Sequence, residues 1–238
     1  MPGSFKTEAV VLRSIRYGEA DRVLHLYSAE RGRLGAIAKG VRRPRSRFGG
    51  RLEPIARVRL VLYEGSGELC TVTQADTVHP HAALRERRAS LERATQACDA
   101  VLRLLDSAEP NPLAYNLLCN ELALLDTAPE AATRSQALAF RLKLLLAAGF
   151  APELGSCAEC GEGEHLGAFS PSSGGVVCVG CEAGAFPLDP EARRFMVGAL
   201  ARSLAEAPAA SERTLAQADR AIAETLEHHA GVRLRRVS

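Results

Sequence analysis

Short apolar runs separated by glycine dominate the first third of the chain. Ala9-Val10-Val11-Leu12, Arg22-Val23-Leu24-His25-Leu26-Tyr27, Leu34-Gly35-Ala36-Ile37-Ala38, the stretch 56–63 and the stretch 69–74 read as five strands. Their β-branched content and the glycines at Gly18, Gly32, Gly40, Gly49, Gly50, Gly65 and Gly67 predict a small closed sheet. Five strands in about 75 residues suit an OB-type barrel, and an SH3-like barrel fits the strand count nearly as well.

After Pro80 the spacing changes to that of a helix. Leu84, Leu91, Ala94, Cys98, Val101 and Leu105 recur every three, four or seven residues and share one helical face. Two further helices are expected over 113–125, just after Pro112, and over 137–146, before Gly149 and Pro152. Asp189-Pro190-Glu191 predicts a helix start with an Asp cap, and Ser211 opens a last helix that lines up Leu215, Ala218, Ile222 and Leu226 before Gly231. The tail 232–237 alternates like a short strand. The pattern thus predicts an α+β fold: a five-stranded barrel over 1–80, then helices over 81–154 and 188–238 interrupted by a cysteine segment at 155–187.

That segment is rich in glycine, has little periodicity and offers no evident core, so a metal would replace the core it lacks. Cys157-x2-Cys160 and Cys178-x2-Cys181 have zinc-ribbon spacing, which predicts one structural Zn2+ held by Cys157, Cys160, Cys178 and Cys181. Four thiolates fill a tetrahedral shell and leave no position for a catalytic water. His165, between the pairs, reads as a polar loop residue. A redox dithiol would need a βαβ setting that is not visible here. Cys70, Cys98 and Cys119 lie singly in apolar stretches, as small buried hydrophobes in a reducing compartment would. With no apolar run long enough to cross a membrane and no signal-peptide pattern, the expected location is the cytoplasm, with no membrane partner.

The net charge of +2 hides an uneven distribution, because residues 1–80 carry 14 Lys/Arg against 8 Asp/Glu. Between Arg31 and Leu52 the sequence places Arg31, Arg33, Lys39, Arg42, Arg43, Arg45, Arg47 and Arg51 with no acidic residue. Such a run is usually a solvated face, but loops normally mix signs, and Gly40, Pro44, Ser46, Gly49 and Gly50 would let the backbone approach a polyanion. Few aromatics accompany it. Tyr27 and Tyr63 are expected in the core, and only Phe48 falls inside the run. The predicted nucleic-acid contact therefore rests on phosphates, weakly sequence-specific and tolerant of single and double strands. Phosphate-loop, serine-elbow and zinc-protease motifs are absent, and Asp21, Glu53 and Asp76 are scattered acids, so no enzyme is predicted.

Gly18-Glu19-Ala20-Asp21-Arg22-Val23-Leu24-His25-Leu26-Tyr27, Lys39-Gly40-Val41-Arg42-Arg43, Ser46-Arg47-Phe48-Gly49-Gly50 and Leu52-Glu53-Pro54 resemble the start of the bacterial RecO recombination mediators. Gly149-Phe150-Ala151-Pro152-Glu153-Leu154 ahead of the two cysteine pairs resembles the zinc-bearing members. The resemblance implies an N-terminal OB-fold, a helical domain with an inserted zinc segment, and Lys39, Arg42, Arg43, Arg45, Arg47 and Arg51 in the family's basic segment. It also implies a nucleoid-associated DNA repair and recombination protein that binds single- and double-stranded DNA and anneals complementary strands. Its implied partners are RecR, single-strand-binding protein and RecF, with RecR helping to load recombinase onto coated strands. The alternative is a zinc-ribbon regulator or assembly adaptor, against which the acidic stretch 159–164 argues.

Overall fold

The computed structural model describes residues 3–237, which form two compact units meeting in sequence at Pro129 and Glu130. In the first unit, β1 (Gly3–Tyr17), β2 (Asp21–Ser28), β3 (Gly32–Ala38), β4 (Arg57–Glu64) and β5 (Cys70–His79) close into a barrel of order β1-β2-β3-β5-β4. All neighbours are antiparallel except β3 and β5, which run parallel through Ala36–Cys70 and Ile37–Thr71. This five-stranded order is that of the OB-fold, which resolves the choice between barrels left open by strand count.

β1 closes the barrel by serving two partners. Residues 3–10 pair with β4 and residues 9–17 pair with β2, with a bulge between Val11 and Arg13. The alternation of the strands sends Ala9, Val11, Leu24, Leu26, Leu60 and Val72 inward, and Phe48 and Leu52 from the β3–β4 connection join the same core. β1 begins six residues earlier than the apolar pattern indicates. Its first half carries Lys6, Thr7 and Glu8, whose partners are polar: Thr7 shares a 2.6 Å hydrogen bond with Ser28, and Glu8 pairs with Arg57.

Gly32 shows how tightly the barrel meets the helices of its unit. Its φ is +54°, and a Cβ there would fall 2.2 Å from the Glu109 carbonyl oxygen, while the next N–H, of Arg33, donates to Ser107 at 3.1 Å. These carbonyls belong to the turn between α2 (Arg88–Leu104) and α3 (Pro112–Thr127). α2 lies on β1 and against α3. The single helical face expected from Leu84 onward is instead broken. Leu84 sits in a one-turn helix, α1 (Ala82–Arg85), its N–H bound by Asp126, and Arg87 is extended before α2 begins. α3 starts as expected, with Asn111 capping Ala114 and Pro112 in its first turn.

Two residues with positive φ meet where β5 leaves the barrel. Ile55 (φ 77°) donates its N–H to Val11 at 2.7 Å, and its carbonyl lies 3.0 Å from Nδ1 of buried His81 (φ 48°). A β-branched residue rarely adopts that conformation, at a cost of about 1–3 kcal/mol that the surrounding bonds offset. Burial, with His79 stacked 4.3 Å away, pushes the His81 imidazole down to about 4. The unfolded chain therefore binds the proton more tightly than the fold does. The contribution of neutral His81 is complete above pH ~6.5 and is lost as pH falls toward 4, on the order of 2–3 kcal/mol. In His81→Asn, which tolerates positive φ and can still donate to Ile55, thermal melts at pH 7 and pH 5 should differ less than in the parent chain.

The second unit packs α4 (Arg134–Ala147), α5 (Pro190–Ala201) and α6 (Glu212–Ala230) together, with the cysteine segment between α4 and α5. α4 is buried nearly all round, and its Arg141 faces buried Asp219 of α6 at 3.5 Å. Ser211 caps α6, and Gly231 ends it at φ 65°. α5 starts where expected, with Asp189 at the N-cap position and Pro190 first, but the Asp189 carboxylate makes no capping bond and pairs instead with Arg213 at 2.9 Å. The tail 232–237 is not a strand either. Arg141 holds the Arg235 carbonyl, and Val237 is buried.

The cysteine segment builds a three-stranded sheet, β7-β6-β8, from β6 (Leu166–Ser170), β7 (Gly175–Cys178) and β8 (Phe186–Pro187). It is not without a core: Phe169, Val176, Val177 and Phe186 are buried, the two rings 5.6 Å apart. Val176 and Val177 are adjacent and both covered, so no alternation announces them. No helix among the described residues is long and apolar enough to cross a membrane.

Candidate metal centre and nucleic-acid interface

The sulfur atoms of Cys157, Cys160, Cys178 and Cys181 all lie within 4.8 Å of one another. Two turns aim them. Gly161, at φ 79°, donates to the Cys157 carbonyl at 2.9 Å, and Cys178 ends β7 just before the tight turn Val179–Cys181. Ala158 donates to Val176 at 2.8 Å, which ties the first turn to the strand carrying the second. The Cys160 and Cys178 sulfurs are 3.7 Å apart. A tetrahedral ion with legs of about 2.3 Å requires edges of about 3.8 Å, whereas a disulfide needs about 2.05 Å.

Electrostatics point the same way. Backbone N–H groups of Cys160 and then Cys178 hold the Cys157 thiol down at about 6. The Cys181 thiol is pushed up, first by its hydrogen bond with Cys178 and then by that with Cys160. A site that favours the Cys157 thiolate while opposing that of Cys181 is one that a divalent cation completes. These four residues fit a metal ion. His165 stays outside the cluster, exposed beside Glu164. Cys70, Cys98 and Cys119 are buried and free, and burial pushes the Cys98 thiol up to about 12.

The basic run divides in two. Lys39, Arg42, Arg43, Arg45, Arg47 and Arg51 lie on the β3–β4 connection, all exposed, and among the described residues none forms an ion pair. The loop is held by its own backbone: Gly40 donates to Asp21 at 2.7 Å, Arg42 to the Ala20 carbonyl at 2.9 Å and Ser46 to Arg43 at 2.9 Å. Phe48 and Leu52 are buried in the barrel, so the arginines between and beside them turn outward. Arg31 stands at the other end of β3, roughly 20 Å of strand away. It lies over the Phe5 ring at 3.9 Å and pairs with Glu64 at 3.6 Å.

Arg33 joins a group that the linear run does not contain. Strand register sets Arg13 opposite His25, and burial, then Arg33, then Arg13 lower the His25 pKa. Arg13 could have been found only from the pairing of β1 with β2. Of the aromatics, Tyr27 is buried as expected, but Tyr63 is 43% exposed on the outer side of β4, and Phe48 is unavailable to any ligand.

The first unit is an OB barrel with a bare cationic loop, and the second is a helical unit carrying a four-cysteine ribbon able to hold a metal ion. Residues 1–81 match the family model for the recombination protein O N terminus, and residues 89–237 match that for its C terminus. The chain is 40% identical over 238 residues to the DNA repair protein RecO of Rubrobacter xylanophilus, covering 95% of this chain and 93% of that one. It is 38% identical to the RecO of Anaeromyxobacter dehalogenans over 96% of this chain and 92% of that one. The RecO of Cutibacterium acnes is 38% identical over 75% and 74%. The chain belongs to the RecO family of DNA repair proteins.

Proposed function

We propose that this chain is a recombination mediator that binds single- and double-stranded DNA through the loop 39–51 and anneals complementary strands without covalent catalysis. The observation that carries this is the loop itself: six exposed cations without acidic partners, on a backbone fixed by hydrogen bonds and by two buried side chains. A fixed loop loses little backbone entropy on meeting phosphates, and two strands bound to it are screened from each other. In this proposal residues 1–80 supply the DNA surface, with Arg31 and Arg33 extending it. The helical parts, 81–154 and 188–238, form the scaffold, and 155–187 is stapled by one structural Zn2+.

The same proposal places the protein in the cytoplasm at the nucleoid. There, with RecR and in company with RecF, it helps load recombinase onto strands coated by single-strand-binding protein. Mixing complementary oligonucleotides with the protein, in the absence of nucleotide, should accelerate duplex formation severalfold over the spontaneous rate. The rate should fall steeply between 50 and 200 mM salt. An annealing rate unchanged by the protein at low salt would overturn the proposal.

A further inference from the structure

The four cysteines that converge in the ribbon are unequally covered. Cys157 is 3% and Cys178 9% exposed, whereas Cys160 stands in solvent on its turn and Cys181 is half-buried. Cys160 is therefore the member of the cluster that a small solute meets first. Its sulfur lies 3.7 Å from that of Cys178, on the other turn. Cys178 ends β7 directly after buried Val176 and Val177, so the pair links the outside of the ribbon to the strand that carries its core.

A cation held by four cysteines keeps all of them as thiolates, the form that oxidants attack. A disulfide needs its sulfurs about 2.05 Å apart, so Cys160 and Cys178 have less than about 2 Å to close. An exposed thiolate beside a second one able to capture it is the arrangement of an oxidant-sensing pair. The surroundings select the oxidant. Glu159, Glu162, Glu164 and Glu182 are exposed on and beside the two turns, and residues 144–192 contain no Lys or Arg. Arg220 of α6 reaches the Phe186 ring, but it is paired with Glu224. Such a surface repels an anionic disulfide such as oxidised glutathione and leaves an uncharged hydroperoxide free to approach.

We propose that Cys160 and Cys178 form a peroxide-sensing site that opens the ribbon. The Cys160 thiolate attacks the terminal oxygen of the hydroperoxide and the O–O bond breaks. Cys160 becomes a sulfenic acid, and the departing alkoxide takes a proton from water and leaves as an alcohol. The Cys178 thiolate then attacks the Cys160 sulfur, forming the S–S bond and expelling hydroxide, which leaves as water once protonated. Two cysteines are oxidised and one peroxide is reduced. Only Cys157 and Cys181 remain as ligands, too few to hold a structural cation. This rests on the structural metal proposed above.

The opening has a route to α6. Glu159, beside Cys160, accepts the Ser173 hydroxyl at 2.7 Å, and in the same β6–β7 turn the Pro171 carbonyl accepts Nε2 of His229 at 2.7 Å. Loss of the first cysteine turn therefore loosens the segment that touches the end of α6. The loop 39–51 contains no cysteine and lies in the other unit.

The full chain is first assayed for zinc with a chromogenic chelator, and a chain without metal overturns the structural site and the switch together. The loaded chain is then treated with hydrogen peroxide. Zinc should leave roughly ten-fold faster than from the untreated chain, and peptide mapping should find a Cys160–Cys178 disulfide. Dithiothreitol with added zinc should restore the loaded form. Cys160→His, which keeps the common set of three cysteines and one histidine, should hold zinc and lose it to peroxide roughly ten-fold more slowly than the parent. Oxidised glutathione at the same concentration should release zinc roughly ten-fold more slowly than peroxide. A loaded parent that keeps its zinc in peroxide, or whose disulfide joins other cysteines, overturns the switch and leaves the structural metal standing. A loaded Cys160→His chain as sensitive as its parent also overturns it, and equal release by oxidised glutathione overturns the choice of an uncharged oxidant.

Discussion

Cys178→Ser should release the metal and melt the ribbon while leaving the DNA surface intact. Cys178 is both a sulfur of the cluster and the last residue of β7, where it pairs with Leu166 and follows buried Val176 and Val177. With one thiolate gone, the remaining three hold a divalent cation far less tightly, and the small core under β6 and β7 is too little to hold the sheet alone. The purified parent chain should carry about one equivalent of zinc, and Cys178→Ser almost none. Its melting temperature should drop by roughly 10 °C, corresponding to about 3 kcal/mol in a chain of this size. Limited proteolysis should gain cuts within 155–187. Affinity for oligo(dT) should change less than about two-fold. A variant that retains stoichiometric zinc, or melts with its parent, would show that the cluster is not a structural metal site.

Replacing Arg42, Arg43 and Arg45 together by alanine should have the opposite signature, with an unchanged fold and a large loss of DNA binding. All three side chains are exposed, and the backbone bonds that fix the loop, from Arg42 to Ala20 and from Ser46 to Arg43, do not use them. The Arg42 guanidinium also donates to the Glu19 carbonyl at 3.0 Å, a solvent-exposed bond of small net worth. For single strands each phosphate contact contributes about 0.7 to the salt slope, so three lost contacts should flatten it by about 2. At 0.1 M salt that corresponds to roughly 100-fold weaker binding, with annealing slowed in parallel. Titrations at several salt concentrations check both numbers. A slope that stays the same while affinity falls would mean that the arginines act through structure rather than through phosphates.

What could be seen in advance followed the physics of each signal. The clustering of the four cysteines was fully legible, because a pair of cysteines two residues apart needs only a local turn to converge. The inward sides of β2 and β4 were legible from Leu24 and Leu26 and from Val58, Leu60 and Leu62, which alternate along their strands. The first half of β1 was not, since Thr7 and Glu8 take polar partners from distant strands. Phe48 was hidden by its arginine and glycine neighbours. Its burial changes the picture of the site, for it anchors the loop and is closed to any ligand. The group of Arg13, His25 and Arg33 is scattered in sequence, because these residues become neighbours only through strand pairing.

The ribbon is fastened at both of its stems. On the way in from α4, Glu153 exchanges backbone bonds with Gly174 and Val176, and on the way out to α5, Leu188 donates to Gly167 at 2.9 Å. α4 and α5 pack directly on each other below these stems. The sheet with its four thiolates is thus fastened to its own stems, while α4 and α5 hold each other. Loss of a metal should therefore loosen the sheet while the helices beneath it stay packed.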